Sequence, residues 1–115
     1  GYHRTFMYVD DFIPTLANVS QASLESSVYN IGGADFRNVE ELAELVIAET
    51  GASRDLMRLL PAESHNVVSK RPDITRAMRD LGHSPEITIE HGVPLTVAWM
   101  RNQRLAGSTD SRGRP

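Results

Sequence analysis

Three short stretches carry residue types that could do chemistry. The first is His3-Arg4-Thr5-Phe6-Met7-Tyr8-Val9-Asp10-Asp11. An arginine at the mouth of a strand can offer a planar, two-pronged fork to a phosphate. Strand alternation turns Phe6 to the same side as Arg4, where it could wall such a site. The plain alternative is a surface arginine with Asp10 as a helix cap. The second stretch is Ser69-Lys70-Arg71-Pro72-Asp73-Ile74. Two adjacent cations precede a helix start that itself carries partial positive charge, a plausible anion site. The alternative is a cation serving Asp73 or another nearby carboxylate. The third is Asn30-Ile31-Gly32-Gly33-Ala34-Asp35. It matches neither a P-loop nor the dinucleotide G-x-G-x-x-G pattern, so it reads as a strand end turning at glycine.

Other candidates are set aside. His3, His65, His83 and His91 show no metal-ligand spacing. Ser64-His65 is not a nucleophile–base pair, because neighbours in sequence need not face each other. Trp99 and Met100 fit a packed helix face. Tyr2, Tyr8 and Tyr29 have no lysine four residues later. The chain has no cysteine, so disulfides and thiolate catalysis are excluded.

The elements that must position these residues follow from pattern. Thr5–Val9 is aromatic and β-branched and predicts a strand. Asp10 and Asp11 cap a helix that continues over Phe12–Val19, with Pro14 in its first turn. Residues 21–27 are small and polar, a loop. Val28–Ile31 predicts a second strand. Asn38-Val39-Glu40-Glu41 is close to a capping box, and Val39, Leu42, Ala43, Val46 and Ile47 repeat at helical spacing up to Gly51. Leu56–Leu60 predicts a third strand, stopped by Pro61. Asp73 caps a helix with Ile74, Ala77, Met78 and Leu81 on one face and Gly82 at its end. Thr88 caps the last helix, with Val93, Val97 and Met100 on one face and Pro94 as a kink or late start. The fold class is α/β, a small sheet of short strands with about four helices. Residues 1–105 form the ordered region and 106–115 a disordered tail.

Composition sets outer bounds. The 115 residues suit one small domain or a piece of a larger one, and 40% apolar content supports a core. A net charge of −3 argues against nucleic-acid binding. No apolar run approaches the roughly 20 residues needed to span a bilayer, so no membrane partner is expected. The opening residues show no basic n-region followed by an apolar h-region, so no signal peptide is expected among them, and absence of cysteine fits a cytoplasmic protein. The first residues, Gly1-Tyr2-His3-Arg4, read like a chain entered in mid-fold.

Four segments taken in order resemble the C-terminal third of the extended short-chain dehydrogenase/reductases, most of all the UDP-glucuronate decarboxylases and related epimerases and dehydratases. Arg4–Asp11 resembles the family's R-x-F-x-Y-V-x-D segment, and Val28–Gly33 its V-Y-N-[IL]-G strand. Lys70–Ala77 with Asp80–Pro85 resembles R-[KR]-P-D-I-[ST]-x-A…L-G-W-x-P. Ile89 through Met100 resembles the closing helix. The likeness covers residues 3 to 102. It implies diphosphate contacts from Arg4 and from Lys70, a position where the family carries arginine, with Arg71 as a substitute. It implies Phe6 beside the nucleotide, a packing role for His83 where the family has Trp, and a helix-ordering role for Asp73. It implies a nucleotide-diphosphate sugar as ligand and a homodimeric parent. NAD and the Tyr-x-x-x-Lys pair belong to an N-terminal Rossmann domain, so no cofactor or catalytic residue is expected on this chain, and the chain alone is expected to be inactive. The alternative is a stand-alone, non-catalytic module that binds a nucleotide sugar or a partner.

Overall fold

A computed structural model describes residues 1–24 and 28–112, with side chains described up to residue 107. Three short strands form one sheet in the order β2-β1-β3. Strand β1 (His3–Phe6) pairs antiparallel with β2 (Asp35–Asn38) and parallel with β3 (Ser69–Lys70). Four helices complete the fold: α1 (Val9–Val19), α2 (Val39–Thr50), α3 (Thr75–Leu81) and α4 (Ile89–Arg112). The α/β class, the small sheet and the four helices are as the pattern predicts. Two of the three strands are not where it places them.

Val28–Ile31 forms no strand, and Leu56–Leu60 forms a single 3-10 turn at Arg54–Leu56 followed by irregular chain. Leu56, Leu59 and Leu60 are 78%, 64% and 72% exposed. The sheet uses Asp35–Asn38 and Ser69–Lys70 instead, segments without β-branched residues. Their pairing is set by β1 alongside them, not by propensity, which is a weak guide on so short a strand. The first strand also stops early, at Phe6, because α1 already starts at Val9. Pro14 therefore lies in the second turn of α1 and not the first.

The helix ends follow local chemistry more closely. Asn38 caps α2 through its side chain, which accepts from the Glu40 N–H at 2.9 Å. Asp73 accepts from both the N–H and the hydroxyl of Thr75, at 3.0 and 2.6 Å, and so opens α3. Gly51 and Gly82 end α2 and α3 with φ of 70° and 61°, a left-handed backbone that costs glycine little. Pro94 does not break α4, which runs unbroken to Arg112, past Leu105.

The core is small. Ile89, Val93 and Val97 of α4 are buried and pack against Phe6, Leu42 and Leu45. A second knot joins Ala77, Leu81, Thr15 and His83, each no more than 2% exposed. His83 sits at its centre. Its Nε2 lies 2.7 Å from the Gly32 carbonyl and its Nδ1 2.6 Å from the Thr15 hydroxyl. A carbonyl can only accept, so Nε2 carries the proton. Outside these knots apolar side chains face solvent: Val9, Ile13 and Leu16 along α1 are about half exposed, and Trp99 and Met100 are 60% and 59% exposed. The expectation that Trp99 and Met100 lie on a packed face is not met.

Candidate functional site

The parallel pairing of β1 with β3 sets Arg4 directly beside Lys70. Two cations 66 residues apart in sequence thus meet at one edge of the sheet. Lys70 is exposed. Arg71, its neighbour, goes elsewhere: its guanidinium lies over the Phe36 ring, 5.4 Å from the centroid. The other ring close to Phe36 is His3, stacked at 5.5 Å. Phe6 also parts from Arg4. It packs against the α4 cluster and borders an apolar groove of about 730 Å³ between α2 and α4, together with Leu42, Val46, Val93, Val97 and Met100.

Arg4 is held firmly. Its Nη1 donates to the carbonyls of His3 and Val68 at 2.7 and 3.2 Å, and its Nη2 to the Val67 carbonyl and Asn66 Oδ1 at 2.7 and 3.1 Å. The Tyr2 ring lies beneath it, 5.3 Å from the guanidinium carbon. The Tyr2 hydroxyl accepts from the Glu63 N–H at 2.8 Å, so both side chains tie the same exposed segment to β1.

Carboxylates brace the other side of the sheet. Arg37, paired with Arg4 across β1 and β2, makes ion pairs with Asp35 at 2.7 Å, Glu90 at 2.8 Å and Glu41 at 3.3 Å. Glu90, then Asp35 and Glu41, hold its guanidinium more firmly protonated than usual. Asp35 also accepts from the Ile89 N–H at 2.8 Å and so anchors the start of α4. Asp35, Arg37, Tyr2 and Asn66 escape a reading of sequence, since no motif marks them and each acts through a partner far along the chain. The nearest signal was the acid–x–base spacing of Asp35 and Arg37, which puts both on one face of a strand.

The glycine pair has a packing role and does not fit NAD. A Cβ on Gly33 would lie 1.8 Å from the Phe6 carbonyl oxygen, and one on Gly32 would lie 3.0 Å from Pro72 Cγ. Neighbouring chain therefore fills the space a pyrophosphate would need, and α2 begins only at Val39. Tyr29 donates its hydroxyl to Asp80 at 2.7 Å. Among the described residues, no group of three acidic or histidine side chains could hold a metal ion, and no helix is long and apolar enough to cross a membrane.

No family model matches the chain. Individual proteins do. A UDP-glucose 4-epimerase of Thermotoga maritima, solved with UDP-glucose, superposes with a TM-score of 0.74 at 29% identity, over 89% of this chain and 32% of that one. A dTDP-glucose 4,6-dehydratase of Bacillus anthracis, solved with NAD, shares the fold with a TM-score of 0.72 at 21% identity. The small sheet and its helices are thus part of a Rossmann-type epimerase/dehydratase fold. By sequence, the chain is 30% identical to the dTDP-glucose 4,6-dehydratase of Streptomyces niveus over 88% of its length, and 30% identical to UDP-glucuronic acid decarboxylase 1 of Danio rerio over 87%. It spans only 30% and 23% of those two proteins. The chain is of the extended short-chain dehydrogenase/reductase kind, a stretch equal to about a third or less of such enzymes.

Proposed function

We propose that this chain is the C-terminal, nucleotide-sugar-binding portion of a sugar-nucleotide epimerase, dehydratase or decarboxylase, and that Lys70 and Arg4 serve the diphosphate. One observation carries the reading: parallel pairing sets the two cations side by side at a sheet edge, with Lys70 exposed. A diphosphate carries about two negative charges and is well matched by two adjacent cations. The epimerase that this chain resembles at 29% identity was solved with UDP-glucose. In this reading NAD and the acid/base tyrosine belong to the rest of the parent: the space at Gly32 and Gly33 is taken by neighbouring chain, and no tyrosine here has a lysine four residues later. Phe6 is engaged in the α4 core, and Arg71 at Phe36.

Calorimetric titration of the chain with UDP-glucose, UDP and uridine tests the proposal. Expected are heats for UDP-glucose and UDP but not uridine, indifferent to NAD and weakened about tenfold by Lys70→Ala. A folded chain that treats UDP and uridine alike would overturn it.

A further inference from the structure

Arg4 has no free terminal N–H to offer a ligand. A guanidinium has five N–H donors: two on Nη1, two on Nη2 and one on Nε. Nη1 gives its two to the His3 and Val68 carbonyls, and Nη2 gives its two to Asn66 Oδ1 and the Val67 carbonyl. Only Nε–H is left. Gripping a phosphate with two parallel N–H bonds takes either both terminal nitrogens or Nε with one of them. Each choice withdraws at least one N–H that the chain already uses.

The cheaper choice is set by what each bond holds. One Nη1 bond reaches the Val68 carbonyl beside the β1–β3 seam, where the His3 N–H also donates at 2.9 Å, and the other stays within β1 at the His3 carbonyl. Giving up the Val68 bond would remove one link between the strands that bring Lys70 to Arg4. The Nη2 bonds hold only Asn66 and Val67, both exposed. An incoming phosphate therefore takes the Nε–Nη2 edge.

Building on the diphosphate reading above, we propose that Arg4 is a latch. It clamps the Asn66–Val67 segment when the site is empty, and it exchanges that segment for the diphosphate when the ligand arrives. Ligand binding takes an Nη2 N–H from the Asn66–Val67 segment and so loosens it, while β3, and Lys70 on it, stays paired to β1. Asn66 is a competitor for Arg4 and not its support. These two roles predict opposite signs for one substitution.

UDP is the probe, and the 115-residue chain is the protein. Asn66→Ala removes one competitor and is expected to bind UDP about tenfold more tightly. In the unsubstituted chain, hydrogen exchange in a peptide spanning residues 61–68 is expected to speed up when UDP is added. This second readout stands even if the variant folds poorly. Weaker binding by Asn66→Ala would show that Asn66 positions Arg4 and would overturn the latch. So would unchanged binding, or slower exchange over 61–68. Lys70→Ala separates the two ideas. If it weakens UDP binding while Asn66→Ala fails to tighten it, the latch alone falls. If Lys70→Ala, or the unsubstituted chain, shows no dependence on the diphosphate, the site assignment falls and the latch with it.

Discussion

Asp35 shows how much one short side chain can hold in this molecule. One carboxylate oxygen pairs with Arg37 and the other accepts the Ile89 N–H, so it couples β2 to the first turn of α4. Asp35→Ala leaves a helix N–H and a guanidinium short of a partner. We expect a loss of about 1–3 kcal/mol in urea unfolding, with the midpoint moving and the slope unchanged. Asp35→Asn keeps the shape and should recover part of it. Acid has a related effect elsewhere. Asp80 is held below the ordinary carboxylate range by Arg79 and then Tyr29, Asp73 by the hydroxyl and N–H of Thr75, and Glu90 by a backbone N–H and then Arg37. A carboxyl lowered on folding stabilises the native state above its unfolded pKa and loses that contribution as pH falls through its folded one. The melting temperature is therefore expected to stay level through neutral pH and to fall only below about pH 4. A drop already between pH 7 and 5 would contradict this assignment.

At the scale of elements, helix ends and strand positions obey different rules. Asn38 and Asp73 mark helix starts through bonds to residues two steps on, Gly51 and Gly82 mark helix ends through a left-handed backbone, and such short-range chemistry is written in the sequence. Gly51→Ala should cost about 1 kcal/mol, the price of a left-handed backbone with open space around it. Gly33→Ala should cost far more, since its Cβ would meet the Phe6 carbonyl at 1.8 Å. Comparing the two variants by thermal unfolding separates backbone strain from steric exclusion. Strands were less legible. Val28–Ile31 has the composition of a strand, yet the sheet forms from Asp35–Asn38. A strand needs a neighbour to pair with, and local composition does not say which neighbour is present.

The whole molecule leaves much apolar surface uncovered. Val9, Ile13 and Leu16 follow one another along the outer side of α1, about half exposed, and the groove between α2 and α4 is lined by Leu42, Val46 and Met100. Exposed apolar stretches of this size promote association or dye binding. The folded chain should enhance the fluorescence of an apolar dye such as ANS. Ile13→Glu with Leu16→Glu should reduce that signal and raise solubility at little cost in stability. A chain whose dye binding is unchanged by these substitutions would place the sticky surface elsewhere.

Sequence alone determined the α/β class, the four helices with most of their caps, and the likeness to sugar-nucleotide enzymes. These depend on periodicity, on capping bonds between near neighbours, and on motifs read in order. It also singled out Arg4, Phe6, Lys70 and Arg71 as one group. Tertiary structure divided that group. It set Arg4 beside Lys70, turned Arg71 onto Phe36, sent Phe6 into the α4 core and gave the terminal N–H groups of Arg4 to His3 and residues 66–68. Strand register and hydrogen-bond valence decide such matters. Both depend on which distant segments the fold brings into contact, and no spacing along the chain encodes that.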